Sequence, residues 1–273
     1  MSRMQTILEK AEREGAVMRL RSHPDQVVVV PAPAGVERSV AATGPALGVA
    51  GPPGVATVVH TSPAFRLDRA LVAAGASDNA VAEQYRALCT RIAHADQDTP
   101  IHVILVTSPG AGEGKSVTAA NLALTMAREY QRPTCIIDAN LRSPKLQQLF
   151  GLPEGPGLSD VLAGRAPLED ALTTIENLGV TVLPAGTCPE HPAELLGASM
   201  MRQTLDKLRL QFDRIVVDTP AALARADMGL LTPLVDRIVL VVRAGVTPKA
   251  SITEVITTLD TRRLLGVVLN EAA

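Results

Sequence analysis

A glycine-rich segment that ends in lysine and serine is the clearest chemical feature of the sequence. It runs from position 108 to 116 and reads Ser-Pro-Gly-Ala-Gly-Glu-Gly-Lys-Ser. It follows an apolar run and opens a helical pattern, which is the context in which such loops bind phosphate. The glycines let backbone N–H groups turn toward phosphate oxygens, and the helix N-terminus adds a favourable dipole. The segment therefore predicts a site for a nucleoside triphosphate.

The loop predicts a role for each of its last residues. Lys115 places a positive charge on the β- and γ-phosphates, and the Ser116 hydroxyl is a ligand for Mg²⁺. The strict pattern G-x-x-x-x-G-K-[ST] has glycine where this chain has Pro109, so neighbouring glycines must supply the turn. A turn that binds nothing is disfavoured, because a helix N-terminus repels a cation. We expect ATP to contact Gly110, Ala111, Gly112, Glu113, Gly114, Lys115, Ser116 and Val117.

Two aspartates, Asp138 and Asp218, each follow an apolar run of strand type. In an open α/β sheet, ligands bind beyond the carboxyl ends of the strands, so both acids are expected beside the glycine loop. Asp218 suits the orientation of Mg²⁺ through water, and Asp138 suits the acceptance of a proton from an attacking hydroxyl. Arg142 suits the stabilisation of phosphate charge. The alternative for either aspartate is a cap at the end of a strand.

Short apolar runs that alternate with helical patterns must position these residues. The runs are rich in Val and Ile at consecutive positions, which is typical of strands buried on both faces of a parallel sheet. They cover 101–106, 134–137, 180–183, 214–217, 237–242 and 267–269. A helix is expected over 115–128. The pattern predicts an α/β fold of three layers, with a mostly parallel sheet flanked by helices on both faces.

Composition excludes several classes of protein. Of 273 residues 47% are apolar but only 2% are aromatic, so the core must consist of Val, Ile, Leu and Ala. The net charge of -2 argues against a nucleic-acid partner. There is no apolar run of 18 residues and no secretory signal, which predicts a cytoplasmic location. Cys89, Cys135 and Cys188 form neither a disulfide framework nor a metal-binding pair.

The sequence divides into three parts. Residues 1–20 contain a short amphipathic helix over 3–14, which is either a solvated helix or a docking element for a partner or a membrane surface. Residues 21–77 are rich in Pro, Gly, Ala and Val and predict a flexible linker. Residues 78–273 carry the strand and helix patterns and form the predicted nucleotide-binding domain.

Taken together, the motifs resemble those of the bacterial tyrosine kinases of the capsular and exopolysaccharide type. The loop 112–116 is similar to the family's Walker A motif, 138–142 to its Walker A′ motif and 216–220 to its Walker B motif. Residues 2–12, 192–196 and 266–270 are similar to further family segments. The resemblance implies a P-loop NTPase fold that transfers the γ-phosphoryl group of Mg-ATP to protein tyrosine.

The resemblance also implies partners and further site residues. It places Asn270 near the adenine, and Ser116, Asp218 and Asn140 at Mg²⁺. It implies a role in polysaccharide synthesis or export, with a transmembrane polysaccharide co-polymerase or chain-length regulator as the partner. The chain would then lie at the inner membrane through that partner. Homo-oligomers would form through Glu83 and Arg86.

Departures from the family pattern leave the activity open. Asn140 replaces an acid that helps to hold Mg²⁺, which leaves an amide oxygen without the charge. Cys89 replaces the last arginine of the oligomerisation motif Glu-x-x-Arg-x-x-Arg, and Glu271 replaces an arginine after Asn270. The family carries a tyrosine-rich tail as its autophosphorylation target.

This sequence contains only two tyrosines, Tyr85 and Tyr130. Three hypotheses about the function of the chain therefore stay open. The first is a protein-tyrosine kinase, and the second is a catalytically weak ATP-binding regulatory subunit of a polysaccharide export complex. The third is a partitioning-type ATPase, which requires a signature lysine where this chain has Gly110.

Overall fold

The computed structural model describes residues 27–30, 66–75, 80–197, 199–224 and 227–271. In this part of the chain, the strands are β1 (Val27–Val30), β2 (Val103–Thr107), β3 (Thr134–Asp138), β4 (Thr173–Ile175), β5 (Val180–Leu183), β6 (Arg214–Asp218), β7 (Arg237–Arg243) and β8 (Leu264–Asn270). They form one sheet of eight strands in the order β1-β8-β7-β2-β6-β3-β5-β4. Only the pair of β4 and β5 is antiparallel.

Helices cover both faces of this sheet. They are α1 (Ala80–Asp98), α2 (Lys115–Glu129), α3 (Leu146–Phe150), α4 (Leu158–Leu162), α5 (Leu168–Ala171), α6 (Pro192–Gly197), α7 (Ser199–Arg209), α8 (Asp227–Leu231) and α9 (Lys249–Thr258). Helices α1 to α3 pack in one apolar core, and α4 to α9 pack in a second core on the opposite face. No helix among the described residues is both long and apolar enough to cross a membrane.

The consecutive apolar residues of the strands explain these two cores. Side chains of a strand alternate between the faces of a sheet. In β2, Val103 and Leu105 belong to one core, while Ile104 and Val106 belong to the other. All four are fully buried. The prediction of a three-layer α/β fold with a mostly parallel sheet is thus confirmed, and each of the six predicted apolar runs contributes a strand.

Two strands were not predicted. Strand β1 lies within 21–77, which the sequence predicts as a linker, and it extends the sheet by pairing with β8. Strand β4 has three residues, too few for a recognisable period, and pairs with β5. The predicted amphipathic helix over 3–14 lies outside the described residues.

Residues 66–75 also belong to the stretch interpreted as a linker, and side chains of α2 hold them against the domain. The Asn121 amide donates to the carbonyl of Ala70, and its Oδ1 accepts the N–H of Ala73. Arg128 donates to the carbonyls of Ala73 and Ala74. The helix that follows the glycine loop therefore carries the contacts that anchor this segment.

Candidate active site

The glycine loop connects β2 to α2 and requires glycine at its last turn. Gly112 and Gly114 have φ angles of 77° and 89°, in the left-handed region that favours glycine. Gly114 directly precedes α2, which begins at Lys115. A Cβ atom at Gly114 would lie 2.1 Å from Nδ2 of Asn270. Only glycine therefore allows both this backbone turn and the close approach of Asn270.

Contacts from the ends of β7 and β8 hold the back of the loop. Nδ2 of Asn270 donates to the carbonyl of Glu113 at 3.1 Å. The Thr247 hydroxyl donates to Oε1 of Glu113 at 2.8 Å. Asn270, which the resemblance places near the adenine, thus supports the loop through its side chain. A contact between Asn270 and the base stays a prediction.

Asp138 and Asp218 are direct neighbours at the carboxyl ends of β3 and β6, where they are paired in register. Both side chains are fully buried. Oδ1 of Asp138 accepts the N–H of Asn140, and its Oδ2 accepts the N–H groups of Lys145 and Leu146. Asp138 therefore organises the turn that leads into α3, which is the capping role considered from the sequence.

Burial changes the protonation of this carboxylate pair. It raises the pKa of Asp138 to about 6 and that of Asp218 to about 8. The Asp138 charge raises the pKa of Asp218 further, while the ammonium of Lys115 lowers the pKa of both. Neither carboxylate oxygen of Asp218 accepts a well-formed hydrogen bond from the described residues. The Ser116 hydroxyl is nevertheless close enough to favour its ionised form.

The donor atoms around Asp218 fit a magnesium ion. A buried carboxylate without a hydrogen-bond partner costs free energy unless a cation or a proton neutralises it. Ser116 lies beside it, and Asn140 uses its Nδ2 to donate to the carbonyl of Ser143, which leaves its Oδ1 for a ligand. The described residues contain no group of three or more His, Cys, Asp or Glu side chains that could hold a metal. Phosphate and water oxygens would therefore have to complete the shell, as Mg²⁺ commonly requires.

A cavity of about 410 Å³ opens beside the loop. Predicted residues that line it are Ala111, Gly112, Gly114, Lys115, Ser116, Val117, Asn140 and Arg142. Gly110, Glu113, Asp138, Asp218 and Asn270 do not line it. Five residues that the sequence did not predict as site residues also line the cavity, namely Ser143, Lys145, Leu149, Pro220 and Ala221. Their positions directly after the two aspartate-bearing strands are the signal that would have identified most of them.

Two of the sequence departures have a structural explanation. Glu271 forms an ion pair with Arg243 of β7, so its negative charge is matched within the chain. Cys89 is buried in the core and does not reach the surface where an arginine would act. Glu83 and Arg86 form an ion pair with each other on α1, and Arg86 also contacts Glu129.

Sequence comparison finds relatives that are named tyrosine-protein kinases. The chain is 34% identical over 207 residues to tyrosine-protein kinase YwqD of Bacillus subtilis strain 168, which covers 75% of this chain and 87% of that protein. It is 35% identical over 202 residues to the putative tyrosine-protein kinase EpsB of Ralstonia solanacearum. That match covers 73% of this chain but only 27% of EpsB. No protein-family model matches the sequence.

Solved structures show the same likeness. The kinase domain of the Escherichia coli tyrosine kinase Etk has a TM-score of 0.70 and 28% identity, over 73% of this chain and 79% of that one. MinD of Pyrococcus horikoshii, a septum site-determining protein solved with Mg-ADP, has a TM-score of 0.54 and 27% identity, over 62% of this chain and 70% of that one. The sheet and the glycine loop are therefore those of a P-loop NTPase. With the identity to YwqD over most of both chains, they show that the chain belongs to the bacterial tyrosine-protein kinases.

Proposed function

We propose that this chain binds Mg-ATP at the loop 110–117 and transfers the γ-phosphoryl group to tyrosine of a protein. The observation that carries the proposal is the convergence of Lys115, Ser116 and two buried aspartates at one edge of the sheet. The Lys115 ammonium acts on both carboxylates, and it lines the cavity beside the loop. A loop that bound nothing would not need a lysine and a pair of buried acids.

Different residues of the chain have different roles in the phosphoryl transfer. The loop N–H groups and Lys115 bind the phosphates and oppose the charge that moves to the leaving oxygen. Magnesium held by Ser116, Asp218 and Asn140 would neutralise phosphate charge. Arg142 lines the same cavity, where its guanidinium would stabilise phosphate charge.

Asp138 is the proposed proton acceptor for the attacking phenol. A carboxylate has about four lone-pair positions. The N–H groups of Asn140, Lys145 and Leu146 occupy three of them, which leaves one for the proton. A pKa of about 6 lies close to the working pH, as general base catalysis favours.

We further propose that the chain regulates polysaccharide synthesis or export from the cytoplasmic side of the inner membrane. Its partner would be a transmembrane polysaccharide co-polymerase or chain-length regulator. The match to about a quarter of EpsB supports such a partner, since that longer relative joins a similar kinase segment to a much larger chain. Assembly of several copies would use α1, where Glu83 and Arg86 lie.

Phosphate transfer from radiolabelled ATP tests the proposal. The full chain is incubated with Mg-ATP and a random Glu/Tyr polymer, with and without the cytoplasmic segment of the membrane partner. We expect label on the tyrosine of the polymer, and we expect Lys115→Met to reduce it at least a hundredfold. ATP binding by the wild-type chain without any transfer would refute the kinase and support the regulatory subunit.

The regulatory subunit is the second candidate, and the amide at position 140 favours it. Asn140 supplies no charge to the metal, so Mg²⁺ should bind more weakly than with an acid there. Asn140→Asp restores the charge, and its effect separates the two candidates. A large gain in transfer would show that the natural chain is a weak kinase. An unchanged rate would show that the amide does not limit transfer, and would remove the observation that favours the regulatory subunit.

The partitioning-type ATPase is the third candidate. The similarity of the fold to that of MinD supports this candidate, since the two proteins share the sheet and the glycine loop. The missing signature lysine at Gly110 argues against it, as does the higher similarity to kinases.

A further inference from the structure

The two tyrosines of the chain differ sharply in their accessibility. Tyr85 lies in α1 with only 2% of its surface exposed, and its hydroxyl interacts with Thr118 and Asn121 of α2. Burial raises the pKa of Tyr85 to about 12. A phosphoacceptor must enter the active site of its kinase, so Tyr85 would require unfolding of the helix pair before it could react.

Tyr130 lies at an exposed corner. It directly follows α2, and 38% of its surface is exposed. All six residues from 128 to 133 are exposed, so the corner lies at the surface of the domain. The Thr90 hydroxyl donates to the carbonyl of Arg86 at 3.0 Å, and the Tyr130 hydroxyl therefore donates to Thr90 Oγ1 at 2.9 Å. Among the described residues, this neutral hydrogen bond to Thr90 is the polar contact of the phenol.

The position of Tyr130 separates it from the glycine loop of its own chain. Helix α2 begins at Lys115 and contains 15 residues. At a rise of about 1.5 Å per residue, the helix places Tyr130 about 22 Å from the loop, near the amino-terminal ends of the strands. The phenol of one chain therefore cannot reach the phosphates bound by the same chain, so a phosphoryl group for Tyr130 must come from ATP bound by another molecule.

We propose that Tyr130 is a phosphorylation site that a second copy of this chain modifies, an inference that rests on the proposed function. The phenol oxygen of Tyr130 attacks the γ-phosphorus of ATP bound by the other copy. A bond forms between that oxygen and phosphorus, the bond to the β-phosphate oxygen breaks, and ADP leaves. The phenol proton passes to the aspartate assigned as general base and then to solvent. ATP is the only co-reactant.

The surroundings of Tyr130 can accept the added charge. A phosphate adds about -1.5 to -2 charge at neutral pH and ends the hydrogen bond to Thr90. The corner carries Arg132, while Arg128 donates to the carbonyls of Ala73 and Ala74. Thr90 joins the corner to the turn of α1 where Arg86 pairs with Glu83 and Glu129. Arginine pairs well with phosphate through paired N–H donors. The modification would thus place a new anion beside α1, the helix assigned to assembly.

Labelling of the full chain with radioactive ATP tests the site. We expect Tyr130→Phe to reduce self-labelling at least tenfold, while its rate on the Glu/Tyr polymer stays within a factor of two. Tyr85→Phe is the matched control and should keep self-labelling within a factor of two. Tyr130→Phe mixed with the inactive Lys115→Met chain should transfer label to the latter, which retains its tyrosine.

The outcomes distinguish this proposal from the proposed function. Undiminished label on Tyr130→Phe, or no label on the Lys115→Met chain in the mixture, overturns the assignment of Tyr130. Label on the polymer without label on the wild-type chain overturns it too, but leaves the kinase activity standing. Absence of label on both substrates refutes the kinase activity itself, and this proposal with it.

Discussion

Replacement of Asp218 by asparagine should stabilise the ligand-free protein, and the gain should grow with pH. In the folded protein, burial and the neighbouring Asp138 raise the pKa of Asp218 to about 8. In the unfolded chain the pKa is near 4. Between these values the folded protein holds a proton that the unfolded chain releases, so the wild-type stability falls as pH rises. Asparagine does not titrate and has nearly the same shape.

The size of the effect follows from this window of about four pH units. Each unit corresponds to about 1.4 kcal/mol, so the upper limit is about 5 kcal/mol at pH 8 and the gain is about 1 kcal/mol at pH 5. Above pH 8 the difference should level off. Asp138→Asn is the matched control. It should gain less, because its pKa is raised only to about 6 and its carboxylate accepts three backbone N–H bonds that one amide oxygen cannot keep.

Urea unfolding in the presence of EDTA, at pH 5 and at pH 8, measures the difference. Asp218→Asn should show the higher midpoint at pH 8 and should lose most of the stabilisation that Mg-ATP gives to the wild-type protein. Equal stabilities at pH 8, or a difference that does not change with pH, would contradict the reasoning. Such a result would mean that burial does not raise the pKa of Asp218 in the folded protein.

The remaining predictions concern the loop and the core. Gly114→Ala should weaken ATP binding at least tenfold by calorimetry, because its Cβ would clash with the Asn270 side chain at the end of β8. A Cβ at Gly112 would meet nothing within 4 Å, so Gly112→Ala should cost only about 1 kcal/mol of stability. Equal losses of binding in the two variants would refute this account. Arg214→Met should lower the free energy of unfolding in urea by about 3–5 kcal/mol, because it leaves Asp96 without its partner in a largely buried ion pair. The exposed Arg262→Met should change it by less than about 1 kcal/mol, and a similar cost for both arginines would show that burial does not matter here.

Local patterns were sufficient to predict the layers of the fold and the core of the site. Consecutive apolar residues indicate strands buried on both faces, and this held for all six predicted runs. The glycine loop before α2 could be recognised because its chemistry is contained in nine consecutive residues. Asp138 and Asp218 were expected to meet because parallel strands end at the same edge of a sheet, and they are direct neighbours in the structure.

Other features required contacts between distant parts of the chain. Strand β1 has only four residues within a Pro- and Gly-rich stretch, and its pairing with β8 brings together positions more than two hundred residues apart. The accessibility of the two tyrosines could not be read from the sequence either. Tyr85 is buried because α1 packs on α2, whereas Tyr130 is exposed because α2 ends at the surface.

The sequence by itself determined the kind of chemistry, because a phosphate-binding loop and strand-end carboxylates depend on residue type and short spacing. Only the tertiary structure decided how Asn270 is used, since its amide meets Glu113 through the folding of a distant strand onto the loop. It also decided the protonation of Asp138 and Asp218, because a pKa depends on the loss of water and on the nearby charges that packing brings together.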